Sequence, residues 1–410
     1  MIAIFIFPEH IQYENRFKTN TVRIFDDVEY YFTAKGIINN HVFASQRGGL
    51  NYQPQIYRTP LYPAFLAGLG IICKWRPLHM LILQAFFFSL GPCILLLILL
   101  QSGYPSGFAW LLVFDPITNI LSITFMTEGL LILFLLTGFY FLLKADDLPQ
   151  RFLALIFLTL AILVKPSVQY FFVFICIYFL IRFRPRWKTV ALIMVSILPL
   201  MGWMVRNYRI AGLNVVSTQT DVSIFIPETV KAKEEGTPDQ EVLTWILKNW
   251  AQEHHGEDLF DLVMDNKLDF KGVAIQYALQ HPLAFAKYHF LGSLRVLFGT
   301  ARVLAMECFP ACESWTQTVW RIYNVCMICY SAIIYFALLF TFRLRAVTLT
   351  PILVSWLFVF YNVLLIGILA YTTGGGLKRA PFIPFLIIAL AGQCAYSCRK
   401  NALHEKEQLV

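Results

Sequence analysis

Charge is what this sequence has least of. Only 14% of its 410 residues are Asp, Glu, Lys or Arg, against 58% that are hydrophobic. A water-soluble fold of this length has no use for so much apolar surface, so the composition points to a polytopic membrane protein. Metal-spaced cysteine is also missing. The nine cysteines are scattered, mostly within apolar runs, where a thiol is a small hydrophobe. Cys308 and Cys312 alone flank a Pro-containing turn, a spacing open to a disulfide if that loop is extracytoplasmic. No phosphate-cradling glycine loop is present, because Gly374 to Gly376 lack a flanking strand and helix. No internal repeat or low-complexity segment is visible. No signal peptide is read at the start: residues 2–7 are apolar, but Pro8 and Glu9 follow at once and no basic region precedes them.

What is there is hydrophobic and aromatic. Aromatics make up 16% of the chain, which suits interfacial belts. The formal charge of +8 is assigned to cytoplasmic loops and not to nucleic-acid binding. Nine apolar runs read as spans: 79–100, 107–120, 123–143, 152–164, 168–181, 189–205, 319–340, 346–370 and 381–398. Basic linkers orient them. Arg182, Arg184, Arg186 and Lys188 lie in one linker, and Arg343 and Arg345 in another. Lys144 and Arg151 bracket a third, and Arg399 and Lys400 begin the tail. Placing all four inside leaves residues 1–78, the region 206–318 and the loop 371–380 outside, with 399–410 as a cytoplasmic tail. Residues 61–75 and 281–304 read as helices at the outer interface. Within the outer region, Thr237, Pro238 and Gln240 form a helix-start signature. A second helix is expected over 268–279, giving a small helical cap.

Sorting the polar residues by side isolates a candidate site. Asp26, Asp27 and Arg58 lie outside. Glu128 and Lys165 lie at outer ends of spans, Arg206 and Asn207 at an outer exit, and Lys378 and Arg379 in the last outer loop. Ionisable groups at a bilayer are costly and tend to be functional. A polyprenyl-phosphate sugar keeps its tail in the bilayer and its phosphate at the interface. Cations there can hold the phosphate as the glycosidic bond breaks, while a carboxylate takes the acceptor's proton. Most of these residues also have a plainer reading, though none accounts for Asp27. Asp26 with Glu29 is a capping box, Glu128 can hydrogen-bond within a bundle, and Arg58 can anchor to lipid headgroups. Lys165, Arg206, Lys378 and Arg379 can be snorkelling ends. The cluster Glu253, His254, His255, Glu257 and Asp258 reads as a solvated helix end and not a metal site, since adjacent residues point apart.

The order of these motifs resembles the GT-C membrane glycosyltransferases, in particular bacterial relatives of the protein O-mannosyltransferases and the lipid A aminoarabinose transferase. The resemblance rests on Asp26, Asp27, Tyr30 and Ala34. It continues through Arg58, Pro60, Tyr62 and Pro63, Thr127 with Glu128, and Lys165 with Pro166. Trp203, Arg206, Asn207 and Tyr208 follow, and then Arg379, Pro381 and Pro384. These matches run in family order over nearly the whole chain. The resemblance implies an all-α polytopic membrane protein with a GT-C-like bundle of about nine transmembrane helices. Its first external loop would carry the acid pair, beneath a small external helical cap. It implies inverting transfer from a polyprenyl-phosphate sugar to a glycan, lipid or protein acceptor, at the periplasmic face of a bacterial inner membrane. Asp26 or Asp27 would be catalytic. Arg58, Lys165, Arg206 and Arg379 would hold the donor phosphate, supported by Tyr30, Tyr62, Glu128, Asn207 and Lys378. A divalent metal is compatible with the family, and the sequence shows no dedicated ligand set for one. On this reading, replacing Arg58 impairs donor binding more than folding. Relatives begin with a full transmembrane helix; here residues 2–7 alone stand in that place. Either the start lies upstream or the helix is lacking, which keeps an inactive paralogue as an alternative. A lipid-linked sugar flippase is the competing class. It would place its ionisable groups near the midplane and show repeated halves.

Overall fold

The computed structural model describes residues 26–45, 53–218, 225–237, 245, 248–249, 270–298, 317–341, 350–366 and 377–408. Residues 2–7, the start of the helix expected at Pro238 (238–244), the His254 cluster, Cys308, Cys312 and Gly374 to Gly376 lie outside that set, while Trp245, Lys248 and Asn249 of that helix are described and helical. The described chain is helical apart from one two-residue antiparallel ladder, β1 (Ala44–Ser45) with β2 (Gln53–Pro54).

In order, the helices are α1 (Asp26–Asn39), α2 (Leu61–Ile72), α3 (Pro77–Phe88), α4 (Leu90–Gln101), α5 (Ala109–Val113), α6 (Pro116–Ser122), α7 (Glu128–Leu143) and α8 (Leu148–Val164). After them come α9 (Gln169–Arg182), α10 (Arg186–Ser196), α11 (Leu198–Ala211), α12 (Phe225–Glu234), α13 (Phe270–Gln280) and α14 (Pro282–Phe298). The described helices close with α15 (Gln317–Thr341), α16 (Thr350–Ile366) and α17 (Ile383–Gln408). The helix expected over 268–279 is α13, and 281–304 contains α14.

The hairpin of α7 and α8 is the centre. α7 is apolar on every side, which a helix tolerates only when it is surrounded. Leu130, Leu131, Ile132, Leu135, Leu136, Phe139 and Leu142 are all buried. Four residues turn the chain, and Asp147 caps α8 by accepting from the Gln150 amide at 3.0 Å. α8 ends at Val164 because Lys165 precedes Pro166 and takes extended backbone (φ −148°, ψ 117°). α4 packs on α7, α1 lies on α2, and α17 is flanked by α15 and α16.

One proline interrupts the helical hydrogen bonding of an apolar run that still forms a single long stretch, and a second bends another run. Pro92 removes the amide that would bond Phe88, and the chain breaks at Ser89 between α3 and α4. Pro199 does the same to Val195, and α10 meets α11 at a bend of 46°. The run 107–120 is not one helix. Asp115, fully buried before Pro116, accepts from the Thr118 amide (2.8 Å) and hydroxyl (2.6 Å) and starts α6 afresh.

Two described helical stretches are long and apolar enough to cross a membrane, Pro77–Gln101 and Ala380–Cys398. The α10–α11 pair makes a third if it counts as one span. α7 and α8, at 16 and 17 residues, rise only about 24–26 Å against a hydrocarbon core of about 30 Å. A count of nine spans goes beyond what these lengths establish.

Gly129 sits where α7 meets the Phe88 ring. A Cβ there would lie 2.0 Å from Phe88 Cδ2, and that ring is held in turn by stacking on Phe65 at 6.1 Å. Gly129→Ala is expected to cost about 1–3 kcal/mol by overpacking, read as a lowered melting midpoint in detergent. Phe88→Leu on that background should recover part of the loss. An unchanged midpoint in the single variant would show that the ring yields freely.

Candidate functional site

The segment from Gln55 to Pro63 builds the site. Pro60 occupies the N-cap position of α2 and Pro63 lies in its first turn, where proline lacks only amides that a helix start leaves unpaired. Tyr62, one residue earlier, is fully buried. Its ring meets the Tyr30 ring edge-on at 5.0 Å. Its hydroxyl donates to Gln84 Oε1 at 2.9 Å, and Gln84 Nε2 donates to the Thr124 carbonyl at 2.7 Å. The two tyrosines expected to support the site are therefore a buried seam between α1, α2 and α3.

Arg58 is buried to 1% exposure and Glu29 to 7%. Arg58 donates from Nη2 (2.7 Å) and Nε (3.1 Å) to Glu29 Oε2, and from Nη1 to the Tyr30 hydroxyl at 3.2 Å. The Tyr30 and Tyr57 rings lie against the guanidinium at 4.6 and 4.7 Å. Burial of a cation this complete is tolerable only with a charged, hydrogen-bonded partner. Arg58 is thus occupied in holding α1 against the loop.

The next residue reaches across the bundle. Thr59 Oγ1 donates to the Val164 carbonyl at 2.7 Å, the last residue of α8. Lys165 follows, and its Nζ meets Glu128 Oε1 at 2.6 Å. The Thr127 hydroxyl lies 3.3 Å from Glu128 Oε2. Glu128 opens α7, where the helix N-terminus favours a negative charge. Lys165 stays 19% exposed while Glu128 is 5% exposed. An incoming anion can compete for this lysine, which Arg58 does not allow.

Arg206 and Asn207 close the other side. Arg206 Nη1 donates to the Gln55 carbonyl at 2.5 Å and to Asn207 Oδ1 at 2.9 Å, and Nη2 donates to the Phe43 carbonyl at 3.1 Å. Asn207 Nδ2 donates to the Val215 and Val216 carbonyls at 2.9 and 3.2 Å.

Searches of protein-family models, curated proteins and solved structures return no match to this chain.

Asp26 and Asp27 open α1, three and two residues ahead of Glu29 in its first turn. Lys378 and Arg379 lie in a 3-10 turn, Leu377–Phe382, that packs against α7. The side chains of these four lie outside the described set. Among the described residues no group of three or more His, Cys, Asp or Glu gathers as a metal site. Sequence reasoning missed Glu29 as a site residue, because its spacing from Asp26 had already explained it as a capping partner. It also missed Thr59 and Gln55. The one available signal was an arginine inside a Pro- and Tyr-rich apolar loop, which must find a carboxylate if it is buried.

Proposed function

We propose that this protein is a membrane glycosyltransferase that moves a sugar from a polyprenyl-phosphate donor to an acceptor hydroxyl at the extracytoplasmic face of a bacterial inner membrane. About nine helices would span the bilayer, the shorter ones with help from their flanking residues. One observation carries the reading. The helix that opens with Asp26 and Asp27 is tied through Arg58 and Thr59 to the partly open pair of Lys165 and Glu128. An acid pair and an accessible cation thus belong to one connected end of the bundle.

In this mechanism Asp26 or Asp27 takes the proton of the acceptor hydroxyl. The acceptor oxygen attacks the anomeric carbon from the face opposite the phosphate. The carbon–oxygen bond to phosphate breaks, its electron pair leaves with the polyprenyl phosphate, and the anomeric configuration inverts. Lys165, with Arg379 and Lys378 from the neighbouring turn, stabilises the charge that grows on the leaving phosphate. Glu128 orients Lys165. The acceptor is a glycan, a lipid or a protein. No step requires a nucleotide or a metal.

The test is transfer in membranes from a panel of labelled polyprenyl-phosphate sugars, with Asp26→Asn and Asp27→Asn at matched expression. Wild type should transfer, and one of the two variants should lose about 100-fold or more, the range of a lost general base. Equal transfer by all three would remove the acid pair from the chemistry. Accelerated movement of the lipid-linked sugar across proteoliposomes, without transfer, would make the protein a flippase.

A further inference from the structure

We propose that Arg206 and Asn207 are positioning residues: a buckle that fastens the first loop to the chain leaving α11 and so fixes the acid-bearing helix. The inference rests on the glycosyltransferase reading for its effect on turnover, but not for the buckle itself. It reassigns Arg206, which sequence alone places on the donor phosphate.

The geometry of the guanidinium carries the argument. Its two Nη atoms reach two backbone carbonyls, Gln55 and Phe43. Those residues flank the two-stranded ladder, and the Gln55 amide itself donates to the Phe43 carbonyl at 3.1 Å. Arg206 therefore closes the base of the loop between the strands. The Phe43 and Trp203 rings, 4.9 Å apart and nearly perpendicular, lie 5.2 and 4.6 Å from its carbon. A planar fork suits this work; the point charge of a lysine does not.

Asn207 is fully buried and its amide orientation is fixed. Oδ1 accepts from Arg206, and Nδ2 donates to Val215 and Val216. Trp203 Nε1 adds a second bond to the Val216 carbonyl at 2.9 Å. The strap so held lies along the first loop. The Thr218 amide donates to the Ile56 carbonyl at 3.2 Å, and the Ser217 hydroxyl to the Tyr57 carbonyl. From the loop two links run to α1. Gln55 Nε2 donates to Thr33 Oγ1 at 2.6 Å, and Arg58 holds Glu29. Apart from the part-buried bond between Arg206 and Asn207, each bond in this path is either to a backbone carbonyl or within a buried pair, so a shift at Arg206 is carried to α1 at Thr33 and Glu29.

The test uses the full chain in nanodiscs with Arg206→Lys, Arg206→Ala and Asn207→Asp. Asn207→Asp keeps an acceptor for Arg206 and even strengthens it, but sets a carboxylate against two carbonyls. Amide hydrogen exchange over 43–45, 53–57 and 215–218 should quicken by about tenfold or more in all three, the effect of losing a charge-assisted bond. Exchange in α7 and α8 should stay as in wild type. Affinity for labelled polyprenyl phosphate should not change, and the donor KM with it. The kcat should fall by about 100-fold, the scale of a small misplacement of a reacting group. Lysine should not rescue Arg206. Unchanged exchange in any of the three, or affinity lost in Arg206→Ala and restored in Arg206→Lys, would overturn the buckle. Faster exchange in a protein that transfers no sugar would uphold the buckle and sink the enzyme reading instead.

Discussion

Arg58→Ala should destabilise the protein by about 3–5 kcal/mol, the cost of removing one partner of a buried ion pair. The size follows from what stays behind. Glu29, 7% exposed, would keep its carboxylate under the Tyr30 seam without the guanidinium that compensates it. Glu29→Gln should cost a comparable amount for the mirror reason. The double variant Glu29→Gln with Arg58→Met should recover much of the loss, because replacing both charges removes the desolvation penalty together with the attraction. Melting midpoints in detergent and the fraction inserted in membranes measure all three. The sequence alone predicts the opposite ranking, with donor binding damaged before folding. If Arg58→Ala inserts and melts like wild type yet no longer binds polyprenyl phosphate, that ranking stands and the pair is incidental.

The difference between the two rankings shows what the sequence carries. The α7–α8 hairpin was legible because an apolar run, a four-residue turn with Asp147 and the Lys165–Pro166 step each impose local geometry. The Arg58 to Pro63 motif was legible as a unit for a similar reason, since prolines ahead of an apolar run favour a helix start. Hydropathy failed where the backbone breaks inside an apolar run. It counts side chains, while Pro199 and Asp115 act on amides; the run 79–100, by contrast, survives Pro92 as one long stretch, Pro77–Gln101. The site was legible as a set of residues and not as a set of contacts. Arg58 and Glu29 are 29 positions apart, and Arg206 lies 151 from Gln55. No local pattern records those distances. A cation beside a bilayer reads as a phosphate ligand from sequence. Whether it meets a phosphate, a carboxylate or a carbonyl is decided by the packing of other segments.

Lys165 and Glu128 are the pair for which both readings survive, and opposite effects on binding should separate them. Lys165→Met removes the accessible cation and leaves Glu128, 5% exposed, without its partner. The cost should fall near the low end of the range for a broken buried pair, about 3 kcal/mol, because the amides opening α7 still stabilise the carboxylate. Polyprenyl phosphate affinity should fall with it, and Lys165→Arg should restore both. Glu128→Gln should do the reverse to binding. A neutral amide holds the ammonium less tightly than a carboxylate, by about 1 kcal/mol, so the phosphate competes for Lys165 more easily and affinity should rise about fivefold. Turnover should nonetheless fall, since the lysine is no longer aimed by a charged partner. Binding isotherms and single-turnover rates on the two variants separate these effects. If Glu128→Gln weakens phosphate binding as Lys165→Met does, the carboxylate is not a stand-in for the phosphate. Donor binding would then need the ion pair intact.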